Sequence, residues 1–313
     1  MTLPGLTHFC GELRRVAEMA REASPPPPRP SATAALTTAA MIAFAANSLL
    51  CRAALGGGHA DAATFTALRL LGGAFVLGLL ARVRGSAAPP SRPAWGSALA
   101  LFAYAAGFSF AYMRIPAGVG ALLLFAAVQL TMIGAGLARG ERPRPLEWVG
   151  LALSLAGLAL LARPGLARPD PLGAGLMLAA GAAWGLYSLR GRGHVDAVAV
   201  NAASFTRALP LSLALVTAAA LLGRTSLSPG GVWLALASGA VASGLGYAAW
   251  YAALRGLTAT RAAIVQLSAP PLAAAGAVVF LGESLSTRLV VASVLVLGGI
   301  SLAVTARRPQ AGR

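Results

Sequence analysis

The feature that most limits what this chain can become is its run of long apolar stretches. Ten segments of mostly apolar residues, separated by Pro, Gly, Arg or acidic positions, occupy approximately 32–52, 64–81, 95–113, 117–138, 146–162, 171–189, 198–222, 230–254, 261–281 and 288–306. Crossing about 30 Å of hydrocarbon as a helix takes about 20 such residues. A backbone in lipid must satisfy its own hydrogen bonds, so runs of this length read as membrane helices. A count of nine or eleven stays open, because the turn Arg114-Ile115-Pro116 is so short. Composition agrees: 57% of the 313 residues are hydrophobic and 11% are charged, with a mean hydropathy of +0.73. Too few polar groups remain to cover a globule of this size in water.

The formal charge of +16 raises the question of nucleic acid. All 25 basic residues are Arg, however, and they are spread along the chain rather than gathered into a stripe. Their distribution is better read as topology, since basic residues are retained in cytoplasmic loops. With the N-terminus inside, 17 Arg fall on the inner side and 6 on the outer. That predicts a multi-pass protein of the inner (cell) membrane with both termini cytoplasmic. Of the 25 Arg, only Arg69 and Arg207 fall inside predicted spans away from their ends.

Residues 1–31 differ from the rest. They carry four Arg, three Glu, a weak apolar face (Leu6, Phe9, Leu13, Val16, Ala20) and the run Pro25-Pro26-Pro27-Pro28, which favours an extended spacer. Acids interrupt the segment and no continuous apolar core exists, so it is no signal peptide. It reads either as a cytoplasmic tail touching the membrane surface or as a disordered or overextended start, with Met19 or Met41 as later initiators. Cys10 falls inside and Cys51 near the outer face, so the two cannot pair. His8, His59 and His194 all lie outside the spans, which leaves no His for catalysis or metal binding in the membrane core.

The two halves of the chain echo each other. Leu68-Arg69-Leu70 corresponds to Thr206-Arg207-Ala208, Ala111-Tyr112-Met113-Arg114 to Ala252-Ala253-Leu254-Arg255, Gly140-Glu141 to Gly282-Glu283, and Leu155-Ala156-Gly157-Leu158 to Leu297-Gly298-Gly299-Ile300. The offsets are 138, 141, 142 and 142 residues, in the same order. Each half holds five spans, an odd number, so the second enters from the opposite side. The expected fold is therefore all-α, with ten transmembrane helices in two inverted five-helix repeats over 32–163 and 171–307, followed by a short tail at 308–313. Inverted repeats are the architecture of many secondary transporters.

The five-plus-five layout, the Arg in the second helix of each half, the turn Arg114 to Pro116, the pair Pro270-Pro271 and the sequence Phe280-Leu281-Gly282-Glu283 before the last helix resemble EamA-type members of the drug/metabolite transporter superfamily. The resemblance covers about residues 32–307. It implies a ten-helix bundle that exports or exchanges a small metabolite, with a central cavity lined mainly by helices 1, 3, 4, 6, 8 and 9. In the first half, Ala138-Arg139-Gly140-Glu141 departs from the pattern, with Arg where an apolar residue is common.

A solute site is expected near the midplane, where an interrupted helix frees backbone groups. Pro270-Pro271 removes two donors in the middle of the ninth span and frees carbonyls near Gln266 and Leu267. Gln266 and Pro270 share a face, as do their repeat equivalents Phe125 and Gln129. Tyr104 is at the centre of the third span, Trp184 and Tyr187 are in the sixth, and Tyr247 with Tyr251 is in the eighth. Together they suit an amino-acid-like or other amphipathic solute, although each can equally be core packing. Asn47 is a further polar candidate, with interhelical bonding as its alternative. Trp95, Trp148, Trp233 and Trp250 fall near span ends and are expected to anchor the interface. Arg69 and Arg207 could clamp a carboxylate or phosphate. The resemblance puts helices 2 and 7 off the cavity, so snorkelling or bonding to helix-end carbonyls is the preferred role for both. Ser238-Gly239 and Ser243-Gly244 read as small-residue packing positions.

Glu141 and Glu283, at helix starts, are expected to act as caps. No Asp or Glu falls mid-span, so transport is expected to be facilitated diffusion or exchange, with any proton coupling routed through the solute or a helix-end Glu. The partners expected are a small solute and the lipid bilayer, with no cofactor, metal or nucleic acid. An intramembrane enzyme is the main rival, but it needs a His, Asp pair or nucleophilic set that the spans do not carry. A scaffold or receptor would need neither the repeat nor the Pro-broken helix.

Overall fold

The computed structural model describes residues 28–85, 95–115, 117–162, 170–192, 194, 196–281 and 287–305. Most of the amino-terminal tail with Cys10 and His8, Pro116, Glu283 and the segment 308–313 lie outside them. Every named secondary element among the described residues is helical, with one isolated antiparallel bridge between Ala60 and Leu227. In chain order the helices are α1 (Pro30–Gly56), α2 (Ala62–Val83), α3 (Trp95–Tyr112), α4 (Ala117–Ala138), α5 (Pro145–Ala162), α6 (Pro171–Gly191), α7 (Ala197–Leu221), α8 (Pro229–Leu254), α9 (Ala259–Gln266), α10 (Ala269–Leu281) and α11 (Thr287–Thr305). Helix thus occupies each of the ten apolar segments, α9 and α10 sharing one. Among the described residues, six spans are both long and apolar enough to cross a membrane: α1, α2, α6, α7, α8 and the α9–α10 stretch.

Local chemistry sets where these helices begin. Asp61, Asp170 and Asp196, which the sequence leaves in loops, are N-caps: Asp61 accepts from the amides of Ala63 and Thr64, Asp170 from Gly173 and Asp196 from Ala199. Each removes an orphan donor from a helix start. Pro30, Pro171 and Pro229 occupy first-turn positions, where the missing N–H costs nothing.

Large apolar side chains such as Phe75, Leu130, Leu213, Leu221, Val279 and Phe280 point outward, as suits a bundle whose solvent is lipid. Apolar burial gives little drive for helix association there, so close contact depends on small residues. α5 packs on α11 through glycines: a side chain on Gly157 would meet the Ala292 carbonyl, and one on Gly299 would meet the Gly150 carbonyl. These two contacts exchange under the 142-residue offset, since Gly150 corresponds to Ala292 and Gly157 to Gly299. A reciprocal contact of this kind is what a two-fold relation between halves produces. The other pairs follow the same exchange: α6 packs on α3 and α4, while α1 packs on α8 and α10, and α2 packs on α7.

Both ends of the bundle tie the halves together. At one end, the loop before α2 meets the loop before α8: Asp61 N donates to Ser226 O at 2.9 Å, Ser226 N to the Asp61 carboxylate at 2.9 Å, and Ser228 N to His59 O at 2.8 Å. Arg114 and Asp170 form an exposed ion pair at 3.3 Å at the same end. The opposite end is separated by the length of α4, 22 residues or roughly 33 Å. There the Glu141 carboxylate accepts from the amides of Ala259 (2.9 Å) and Thr260 (3.2 Å), the Thr260 hydroxyl (3.2 Å) and Arg192 Nη1 (3.3 Å). Glu141 is a cap, as expected, but of α9 in the other half rather than of its own helix.

Burial would push the Glu141 carboxyl up, yet the Ala259 and Thr260 amides, with Arg192 and the Thr260 hydroxyl, hold it below the usual glutamate value. A depressed folded pKa means stability that is present above the unfolded value and lost as pH falls through the folded one. Glu141→Gln is therefore expected to lower stability near neutral pH by about 1 kcal/mol, the scale of a lost N-cap. The gap between wild type and variant should be full above the unfolded glutamate value of about 4.3 and close as pH falls through the lower folded one. Thermal unfolding of both proteins across pH checks this, and a gap independent of pH would show the bonds are not to a carboxylate.

Candidate functional site

The centre of the bundle is a cluster of aromatic rings drawn from both halves. Phe44 on α1, Tyr104 and Phe108 on α3, Trp184 and Tyr187 on α6, Phe205 on α7 and Tyr247 on α8 form a continuous set of ring contacts. Trp184 is its middle: its ring centroid is 5.1 Å from that of Phe44, 4.9 Å from Tyr104, 4.7 Å from Tyr247 and 5.8 Å from Tyr187. The geometries are tilted or edge-on, the arrangements ring quadrupoles prefer.

Amide groups extend the cluster toward the broken helix. Trp184 Nε1 donates to Gln266 Oε1 at 2.6 Å, and Gln266 Nε2 meets the Met132 sulfur at 3.0 Å and the Ala262 carbonyl at 3.3 Å. Gln266 is the last residue of α9; the chain turns through Leu267 and Ser268 before α10 begins at Ala269. Pro270 and Pro271 are buried just beyond and cannot donate to the carbonyls four residues earlier. The break thus falls where the prolines require it. From α4, Gln129 Nε2 donates to the Ala263 carbonyl at 2.7 Å, while its buried Oε1 has no partner among the described residues.

Arg69 reaches this centre. It is 1% exposed. Nε donates to Ser243 Oγ at 2.9 Å, and Nη2 donates to Tyr247 Oη at 2.5 Å and Tyr104 Oη at 3.2 Å. Its guanidinium carbon lies 5.2 Å from the Tyr104 ring centroid and 5.8 Å from that of Phe108, within cation–π range. The expectation that Arg69 snorkels or bonds a helix-end carbonyl is corrected: its hydrogen bonds go to hydroxyls of α3 and α8. The reason lies in α8, which passes through a π-helical stretch at Ser238–Leu245. A side chain on Gly239 would meet the Arg69 carbonyl, so α2 approaches α8 closely enough for Arg69 to contact Ser243 and Tyr247.

The remaining candidates separate. Asn47 accepts from the Ser238 hydroxyl at 2.6 Å, the interhelical bond named as its alternative. Ser238 and Ser243 are hydrogen-bonded partners rather than mere packing positions, while the adjacent Gly239 and Gly244 do make close contacts. Tyr187 donates to Asn201 Oδ1 at 2.6 Å. Phe125 is half-buried and makes none of the ring contacts above. Arg207 is half-buried on α7 and is not among the contacts of Arg69. Trp250, expected at the interface, is fully buried; its indole donates to Ser188 Oγ at 3.1 Å and its ring meets Phe44. Trp95, Trp148 and Trp233 are exposed. Phe44, Phe108 and Phe205 were not singled out from sequence. The available signals were spacing: Phe44 lies three residues before Asn47, and Phe108 four after Tyr104, each pair on one helical face.

The sequence profile described as the EamA-like transporter family matches residues 32–163 and 171–305. A Pseudomonas aeruginosa protein, PA1977, is 52% identical over 281 residues, covering 90% of this chain and 97% of that one. The uncharacterized inner membrane transporter YedA of Escherichia coli is 32% identical over 129 residues, 40% of this chain and 42% of YedA. A solved crystal structure superposes with a TM-score of 0.74 at 23% identity, over 90% of this chain and 100% of that chain; at this identity the likeness shows the fold alone.

Proposed function

The chain belongs to the EamA-like transporter family, and from that premise we propose that it carries a small amphipathic metabolite across the inner membrane by alternating access. In this reading all ten apolar segments span the bilayer, the repeats are inverted and both termini are cytoplasmic. The solute occupies the centre described above, against Tyr104, Trp184, Tyr187, Tyr247 and Gln266. Gln129, Asn47, Phe125 and Pro270 form its margin. The observation that carries the proposal is the meeting of aromatic rings from both halves at a helix broken by Pro270-Pro271. A solute there touches both halves at once, and their relative movement would expose it to one side or the other.

The end contacts supply the gates. On the inner side, Glu141 with Arg192 and the start of α9 would part; on the outer side, Asp61 with Ser226 would part. Glu141 already accepts four hydrogen bonds and its pKa is held low, so it is poorly suited to carry a proton near neutral pH. Export or exchange down a solute gradient is the mode this favours, with no catalytic step.

Flux in reconstituted vesicles tests the reading. Counterflow of an amphipathic solute is expected in wild type, falling roughly tenfold or more in Gln266→Ala and Tyr104→Ala at normal expression. Unchanged flux in both variants would retire the central site. Uphill uptake driven by an imposed pH gradient, and persisting in Glu141→Gln and Glu283→Gln, would overturn the coupling mode.

A further inference from the structure

At the centre of the bundle Arg69 is a cation with unfinished bonding. A guanidinium keeps its charge at any working pH, and burying one is unfavourable unless the charge is matched. Here the partners are neutral: Ser243, Tyr104 and Tyr247 hydroxyls and the faces of Tyr104 and Phe108. The ion pairs Arg114–Asp170, Arg192–Glu141 and Arg261–Glu147 all lie elsewhere. Nε spends its hydrogen on Ser243, and Nη2 spends both of its own on the two phenols. Nη1 is buried and has no hydrogen-bond partner among the described residues. A buried donor of a charged group left without an acceptor is rare in a folded core, and it marks where a ligand acceptor would go.

Resting on the proposal that this centre holds the solute, we propose that the solute is a small monocarboxylate with an apolar or aromatic body, its carboxylate received by Arg69. One carboxylate oxygen accepts from Nη1. The second lies toward Nη2, where the Tyr104 contact, at 3.2 Å, is the longest of the three and the first to yield. Carboxylate and guanidinium then meet edge to edge, the geometry in which Arg binds most strongly. The Tyr104 hydroxyl, released from its acceptor role, can donate to the same carboxylate. Arg69, with no second cation among its contacts, matches one negative charge and leaves a phosphate dianion half-compensated. Phe44, Phe108, Trp184 and Phe205 supply the surface for the body of the molecule.

Acid and amide pairs of equal shape isolate the charge: benzoate and benzamide, phenylacetate and phenylacetamide, indole-3-acetate and indole-3-acetamide. Concentration-dependent thermal stabilisation of the purified full chain at pH 7.5 reads their binding. At least one acid is expected to bind roughly tenfold or more tightly than its amide. Arg69→Gln should bring that ratio to about one, and Arg69→Lys should keep part of it. Acids no tighter than amides in all three pairs of the wild type would overturn the proposal, whether or not Arg69→Gln folds. So would an acid preference that survives in Arg69→Gln. Flux of neutral solutes without acid preference would sink the carboxylate and leave transport standing. Binding of neither acids nor amides, together with no flux of any solute, would sink both.

Discussion

Gly239→Ala is expected to leave little correctly folded protein. Its new methyl would run into the Arg69 carbonyl oxygen and lie 2.8 Å from the carbonyl carbon. Backbone atoms cannot rotate away as a flexible side chain can, so α8 would have to move off α2. Overpacking of a core costs about 1–3 kcal/mol even where side chains can adjust. The shift would also separate Ser243 and Tyr247 from Arg69, and each buried donor left unpaired adds about 1–3 kcal/mol. The sum is comparable to the whole stability of an ordinary domain, about 5–15 kcal/mol. Size-exclusion profile and melting temperature of the detergent-solubilised variant check this. Gly78→Ala, on α2 with open space around it, is the control and should melt like wild type. A Gly239→Ala protein that also did so would mean that the two helices do not touch at this point.

Trp184→Ala carries the second large effect. The indole touches Phe44, Tyr104, Tyr187 and Tyr247 and satisfies Gln266. Removing a buried Trp costs about 3–5 kcal/mol, and the stranded Gln266 acceptor adds to it. Trp184→Phe keeps a ring and loses only the N–H, so a loss of about 1–2 kcal/mol is expected. Trp233→Ala, at an exposed position, should be near neutral. Unfolding of the three variants in detergent gives the order. Equal losses for Trp184→Ala and Trp233→Ala would mean that Trp184 is not the middle of the core.

Much of this protein could be read locally. Apolar runs marked the helices to within a few residues, because each run must satisfy its own backbone in lipid. Pro270-Pro271 marked the break after Gln266, because a missing N–H acts within one turn. Tyr104, Trp184, Tyr187, Tyr247 and Gln266 could be nominated from depth and spacing, and the structure brings them together. Other positions misled for a common reason. Trp250 is near a span end in sequence, yet it faces the bundle interior, and depth along a helix says nothing about which side of it a residue occupies. The π-helical turn at Ser238–Leu245 has no local signal in the sequence.

The sequence by itself determined helix positions and the two-fold echo, since each depends on chain-local hydrogen bonding or on a periodic pattern. The tertiary structure alone decided which polar groups meet. Glu141 caps α9 rather than its own helix, 118 residues away at Ala259, and Arg69 is bonded to Ser243 and Tyr247, 174 and 178 residues on. Such pairings depend on how closely two backbones approach, and here the approach of α2 to α8 is set by the absence of a side chain at Gly239. A glycine in the sequence is compatible with many neighbours, and only the packed bundle selects one.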